Sequence, residues 1–187
     1  MHSGLCVVLL FVLAAAAPIT ATAEPSVAAS SFSAAYWGEM ILHPGLRFGW
    51  ERRFLGTERH ALVGGAVLGG YFHFRNHLAL AVSLEGGYRF TTSSTFHLEL
   101  LGGLGYLHTF VHGAVYTPQG ERFEKVIDLG RPHVMPVLAL GGGWHGAGWL
   151  LPAGRRFVRL QFFGQYPFDG FLLPHLAVEI GFAPEAV

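Results

Sequence analysis

The chain has 187 residues, 51% of them apolar, with twelve basic residues balanced by twelve acidic ones, eleven histidines and a single cysteine. That length fits one domain, and a net charge near zero supplies no long-range attraction to nucleic acid, so no nucleic-acid partner is expected. The cysteine, Cys6, lies in a segment expected to be removed on export, which excludes disulfides, thiolate-bound metals and thiol chemistry from the rest.

Residues 1–23 read as a secretory signal peptide. Leu5 to Ile19 is apolar, and Ala21-Thr22-Ala23 offers the small residues of a cleavage site before Glu24. A short lead, 24–31, follows. From there to residue 183 the chain is a succession of segments in which alternate residues are apolar or aromatic. The clear ones are 44–54, 60–74, 78–90, 95–110, 132–145, 155–166 and 171–183. In 78–90 the even positions are Leu78, Leu80, Val82, Leu84, Tyr88 and Phe90; in 95–110 they include Phe96, Leu98, Leu100, Leu104 and Tyr106. The odd positions carry Arg47, Glu51, Arg53, Glu85, Arg89, His97, Glu99, His175 and Glu179.

Side chains in a strand alternate faces with a period of two, so each segment has one oily face and one small, polar or charged face. A soluble ligand-carrying barrel would place its apolar face inside. Here the oily face fits lipid outside and the charges fit a lumen. Val134 to Leu151 is the best candidate for a spanning helix, but Pro136, Gly141-Gly142-Gly143 and His145 interrupt it. In lipid every backbone N–H and C=O must be paired internally, so strands of this kind have to close on themselves.

Seven clear segments make an odd number, whereas single-chain bacterial barrels have an even number of strands. Residues 32–42, with Phe32, Ala34, Tyr36, Met40 and Leu42 on the even face, complete a set of eight. With that first strand in place, the long connection Val111 to Arg131 falls outside the cell, where long loops belong, and Thr91 to Ser94 falls in the periplasm. Tyr36, Trp37, Phe72, Phe74, Tyr88, Phe90, Tyr106, Trp144 and Tyr166 near strand ends read as interfacial girdles. The expected fold is therefore all-β: a transmembrane antiparallel β-barrel of about eight strands in an up-and-down meander, over residues 32–183, with 184–187 as a tail.

On these residues the chain resembles the small outer-membrane barrels of the OmpA and OmpX type. The last segment, Leu176-Ala177-Val178-Glu179-Ile180-Gly181-Phe182, is similar to the C-terminal signal read by the barrel assembly machinery, although Ala183 to Val187 follow the aromatic residue. The resemblance implies a Gram-negative-type cell outer membrane, with lipid and lipopolysaccharide as surroundings and the assembly machinery as the partner in biogenesis. It implies little about activity.

Three groups of residues invite chemistry. Arg47, Arg53, Arg89 and Arg159 face Glu39, Glu51, Glu85, Glu99 and Glu179 across the expected lumen. An eight-stranded barrel is filled by its own side chains, so these charges must pair, and the expected result is a salt-bridge network that closes the lumen. The alternative is a narrow ion or small-solute channel. His43, His73, His77, His108, His112, His133 and His175 map to the outward half and could bind zinc or copper or respond to pH near 6, but no established ligand spacing occurs, so no metal or cofactor is expected. A lipid A-modifying enzyme is a second alternative, for which His97 and Glu99 offer a base and its orienter without a nucleophile.

The long connection holds Tyr116-Thr117-Pro118-Gln119-Gly120 as a turn between Val111 to Tyr116 and Arg122 to Asp128, which are expected to prolong two barrel strands as a ribbon. Tyr116, Arg122, Phe123, Lys125 and Ile127 make it the candidate interaction surface, for a partner the sequence does not specify. The expected function is an integral outer-membrane barrel with a structural or surface-interaction role and no catalysis.

Overall fold

The computed structural model describes residues 30–92, 95–120, 122–146 and 152–184; the expected signal peptide, Ser93 and Ser94 of the expected periplasmic turn, and residues 185–187 of the expected tail lie outside them. Ten strands follow in chain order: β1 (Ser30–Glu39), β2 (Gly45–Gly56), β3 (His60–His73), β4 (His77–Thr91), β5 (Phe96–Val111), β6 (Val115–Gln119), β7 (Arg122–Val126), β8 (Arg131–Gly146), β9 (Gly154–Phe168) and β10 (Phe171–Pro184). Eight of them form a closed antiparallel barrel in the order β1-β10-β9-β8-β5-β4-β3-β2, and β6 with β7 forms a separate two-stranded ribbon. β1 closes the ring on β10 through pairs such as Ala34↔Phe182, Tyr36↔Ile180 and Glu39↔Ala177. Of the helix candidate Val134 to Leu151, residues 134–146 belong to β8 and 147–151 lie outside the described residues, and among the described residues no helix is long and apolar enough to cross a membrane.

The first strand starts and stops earlier than the alternation suggested. It ends at Glu39, and the chain then turns through Met40 and Ile41, whose φ angles of 47° and 67° lie in the left-handed region. Met40 and Leu42 are therefore turn residues, not wall residues. On β2 the register with β3 shifts between Arg53 and Leu55, so the alternation is broken close to the turn that leads to β3.

Within the walls the two faces are sharply different. Leu84 is 71% exposed while its neighbours Ser83 and Glu85 are 3% and 9% exposed. The same contrast repeats along β5, with Leu98 and Leu100 outward and His97 and Glu99 buried. A continuous apolar belt of this kind, backed by charges, is what hydrocarbon solvates and water does not.

Long charged side chains fit inside so narrow a ring because glycines face them from the adjoining strand. Arg47 lies opposite Gly69, Glu85 opposite Gly103 and Arg159 opposite Gly141. A Cβ on Gly141 would come within 2.6 Å of Arg159 Cγ and 2.7 Å of the Val158 carbonyl oxygen, whereas one on Gly102, on the outer face, would meet only the Val137 carbonyl oxygen at 3.9 Å. Gly141→Ala is accordingly expected to destabilise the refolded barrel by about 1–3 kcal/mol through overpacking, with Gly102→Ala close to neutral. Urea unfolding in lipid vesicles measures the difference, and equal midpoints would show that the lumen has room to spare.

Candidate functional site

The lumen is filled in layers. One layer is a continuous ion network. Arg47 pairs with Glu85 and, at 3.0 Å, with Glu179. Arg159 pairs with Glu179 at 3.3 Å and with Glu99 at 2.6 Å. Arg89 lies 2.7 Å from both Glu99 and Glu51, and Arg155 reaches Glu51 at 3.2 Å and Glu99 at 3.5 Å. Four guanidiniums thus meet four carboxylates from β2, β4, β5, β9 and β10, leaving no net charge in the layer. Ser83 Oγ donates a further bond to Glu85 at 2.6 Å.

This arrangement differs from the sequence expectation at three residues. Arg53 is half-buried beside the register shift of β2 and takes part in none of these pairs among the described residues. Arg155 takes part without having been singled out. Its odd position, shared with Arg159 on β9, was a usable signal, hidden by its place next to a turn. Glu39 stands apart from the network and belongs to the opposite end of the lumen, with His43 and His175.

A second layer is apolar. Trp37, Tyr71, Leu107, Met135 and Phe163 are each no more than 3% exposed and pack with Ala79, Ala81, Val137 and Ala177. Trp37 contacts the rings of Tyr71 and Phe163, both at 5.3 Å between centroids. The expected place of Trp37 in an interfacial girdle is therefore corrected: its odd position turns the indole into the lumen, where it forms the centre of a plug. The plug joins the other layers on both sides. The Arg47 guanidinium lies 5.3 Å from the Trp37 ring, and on the opposite side Tyr71 and Phe163 contact His77 and His175.

Above the plug, at the end that carries the ribbon, the barrel opens into a cavity of about 1110 Å³. His43, His73, His77, His112, His133 and His175 all line it. Their separation in sequence hides this convergence, which arises because strand ends and loops from the whole ring meet at one rim. His108 is not among them; it faces outward, bonded to the Tyr106 hydroxyl at 2.6 Å and the Leu129 carbonyl at 2.9 Å. Among the described residues no three histidine, cysteine or carboxylate side chains are grouped to hold a metal ion. At the other end, His97 is fully buried and neither ring nitrogen has a hydrogen-bond partner, while Glu99 is taken up by three arginines. The base-and-orienter pair considered from sequence is not assembled.

The long connection carries its own sheet. β6 and β7 pair from Val115↔Val126 to Gln119↔Arg122, and Gly120 turns with a φ of 62°. The turn is thus confined to the tip, and Tyr116 to Gln119, expected as turn, are strand. The ribbon does not prolong β5 and β8. Residues 112–114 and 127–130 interrupt it, and Asp128 clamps its base by accepting the N–H of Val111 at 2.6 Å and of Gly130 at 3.0 Å. Tyr116, Arg122, Phe123, Lys125 and Ile127 are all exposed on or beside it.

No family model and no curated protein matches the sequence. The fold has solved counterparts. Neisserial surface protein A aligns with a TM-score of 0.50 and 10% identity, over 86% of this chain and 98% of that one. The outer membrane enzyme PagL aligns with a TM-score of 0.48 and 13% identity, over 84% of this chain and all of that one. The N-terminal β-barrel domain of Pseudomonas aeruginosa OprF aligns with a TM-score of 0.44 and 13% identity, over 83% and 96%. The chain has the fold of the small eight-stranded outer-membrane barrels.

Glu99, with no exposed side-chain surface, balances three arginines at once. Glu99→Gln leaves excess buried positive charge and is expected to lower stability by about 3–5 kcal/mol. The urea midpoint of the refolded protein and its heat-modifiable gel migration check this; an unchanged midpoint would mean that the network is solvated rather than sealed.

Proposed function

We propose that this protein is an integral outer-membrane barrel whose lumen is closed and whose activity resides on the face it presents outside the cell. The observation that carries this reading is the sealed interior. A solute would have to cross the apolar layer around Trp37 and then the neutralised network around Glu99, and an ion entering the first loses its hydration without gaining a partner. That opposes the channel reading. The outward display is supported by the ribbon, where Phe123 and Ile127 are 75% and 86% exposed beside Arg122, Glu124 and Lys125, a mixed surface suited to protein or glycan contact.

Orientation follows from the asymmetry of the connections, since the longest loop of such barrels faces outward. A tag at the ribbon tip beside Gly120 is expected to be labelled on intact cells, and one between Thr92 and Thr95 only after permeabilisation. Purified protein in planar bilayers is expected to give no discrete conductance steps. Replacing Val115 to Val126 by a short Gly-Ser turn should leave heat-modifiable folding intact while removing the surface phenotype of a deletion strain. Conductance steps in wild type would overturn the closed lumen, and full rescue by the shortened protein would move the activity from the ribbon to the barrel.

A further inference from the structure

The histidine-lined mouth contains a hydrogen-bonded belt that joins side chains of β8, β9, β10 and β1. His133 Nδ1 lies 2.8 Å from the Pro167 carbonyl, which can only accept, and His133 Nε2 lies 3.0 Å from the Gln165 amide. The same amide group meets His175 Nε2 at 3.3 Å, and His175 Nδ1 lies 2.9 Å from Glu39, a carboxylate that also only accepts. The Thr109 hydroxyl lies a further 3.1 Å from His133 Nε2. Two of the mouth's imidazoles are thus held in fixed positions by neutral partners and one carboxylate.

The permanent charges around the belt are matched in number. With every imidazole neutral, Arg75 and Arg131 balance Glu39 and Asp169, and the cavity lining has no net charge. Glu39 is already taken up, by His175 and by His43 Nδ1. The His43 ring stacks on His73 at 3.7 Å between centroids, and His73 on His77 at 5.5 Å, with the Tyr71 hydroxyl 3.3 Å from His77 Nε2. His112 completes the wall, and the His73 Nδ1 atom is buried with no partner. Imidazole is the side chain that ordinarily changes charge between pH 5 and 8. Acidification therefore turns a neutral cup into a cationic one, and imidazoliums this close repel unless an anion lies among them.

We infer that the mouth is a binding site for oxyanions, phosphate or sulfate groups, whose affinity rises as protons are taken up. Protonation and anion binding favour each other by linkage, each strengthening the other by the same factor. Arg75 and Arg131, which form no ion pair among the described residues, supply the permanent positive charge. The site is separate from the ribbon and does not depend on which compartment it faces.

Inorganic sulfate is the suitable probe because its charge is constant between pH 5 and 8. Titrated into the full chain in detergent and followed through histidine imidazole resonances, it is expected to bind about tenfold more tightly at pH 5.5 than at pH 8, a coupling within the usual allosteric range. The shifted resonances should be those of the mouth histidines. Arg75→Gln with Arg131→Gln, both away from the belt and the network, should weaken binding at both pH values. His73→Gln with His77→Gln should flatten the pH dependence of binding. Repeating the titration in phosphatidylcholine nanodiscs with and without lipopolysaccharide identifies the source: competition assigns a lipid-borne phosphate, and its absence a soluble oxyanion. Equal affinity at the two pH values, or sulfate shifts that miss the mouth and survive the arginine substitutions in correctly folded protein, would overturn the site.

Discussion

Closure of β1 onto β10 is the constraint from which the other features follow. An open sheet in hydrocarbon would leave two edges of unpaired N–H and C=O groups, each costing several kcal/mol. Once the ring closes, the pleat has only two destinations for side chains, lipid or lumen. Leu84 and Glu85 adopt opposite fates because they are adjacent in a strand with no third environment. The charges on the lumen face cannot reach water at the middle of the barrel and must find one another. Their side chains fit because Gly69, Gly103 and Gly141 stand opposite Arg47, Glu85 and Arg159.

The interior divides into zones of different chemistry. The network around Glu99 and the plug around Trp37 touch through the Arg47 guanidinium, so a polar and an apolar layer share one side-chain stack. Buried ion pairs are weak evidence for stability, because desolvation offsets much of their attraction. What four matched pairs provide is insulation: no mobile charge is needed to neutralise the lumen. Tyr71 and Phe163 then contact His77 and His175, two of the histidines that line the mouth.

Similarity to solved barrels reaches the fold and stops there. At about one residue in ten shared with Neisserial surface protein A, the common element is the eight-stranded ring. Ring and function are separable in this architecture, since walls answer to lipid and loops do not. The Asp128-clamped ribbon and the six-histidine mouth lie together at one end of the ring.

Much of the barrel was legible in the chain. Period-two alternation carries the strands, their faces and the closure, because lipid enforces one environment on every outward residue and a one-residue slip would invert them all. The same parity pointed to seven members of the ion network and should have pointed to Arg155. It was less informative at strand ends, where lipid no longer constrains the pattern. There Glu39 ends β1 early, Arg53 sits beside a register shift, and Tyr116 to Gln119 form strand instead of turn. The role of Trp37 needed the tertiary structure, since an aromatic residue near a strand end reads alike whether it faces headgroups or lumen until the ring places it against Tyr71 and Phe163. The mouth needed it most. His43, His73, His133 and His175 share no local spacing, and only the stagger of eight strands around a closed ring brings residues so distant in sequence to one rim.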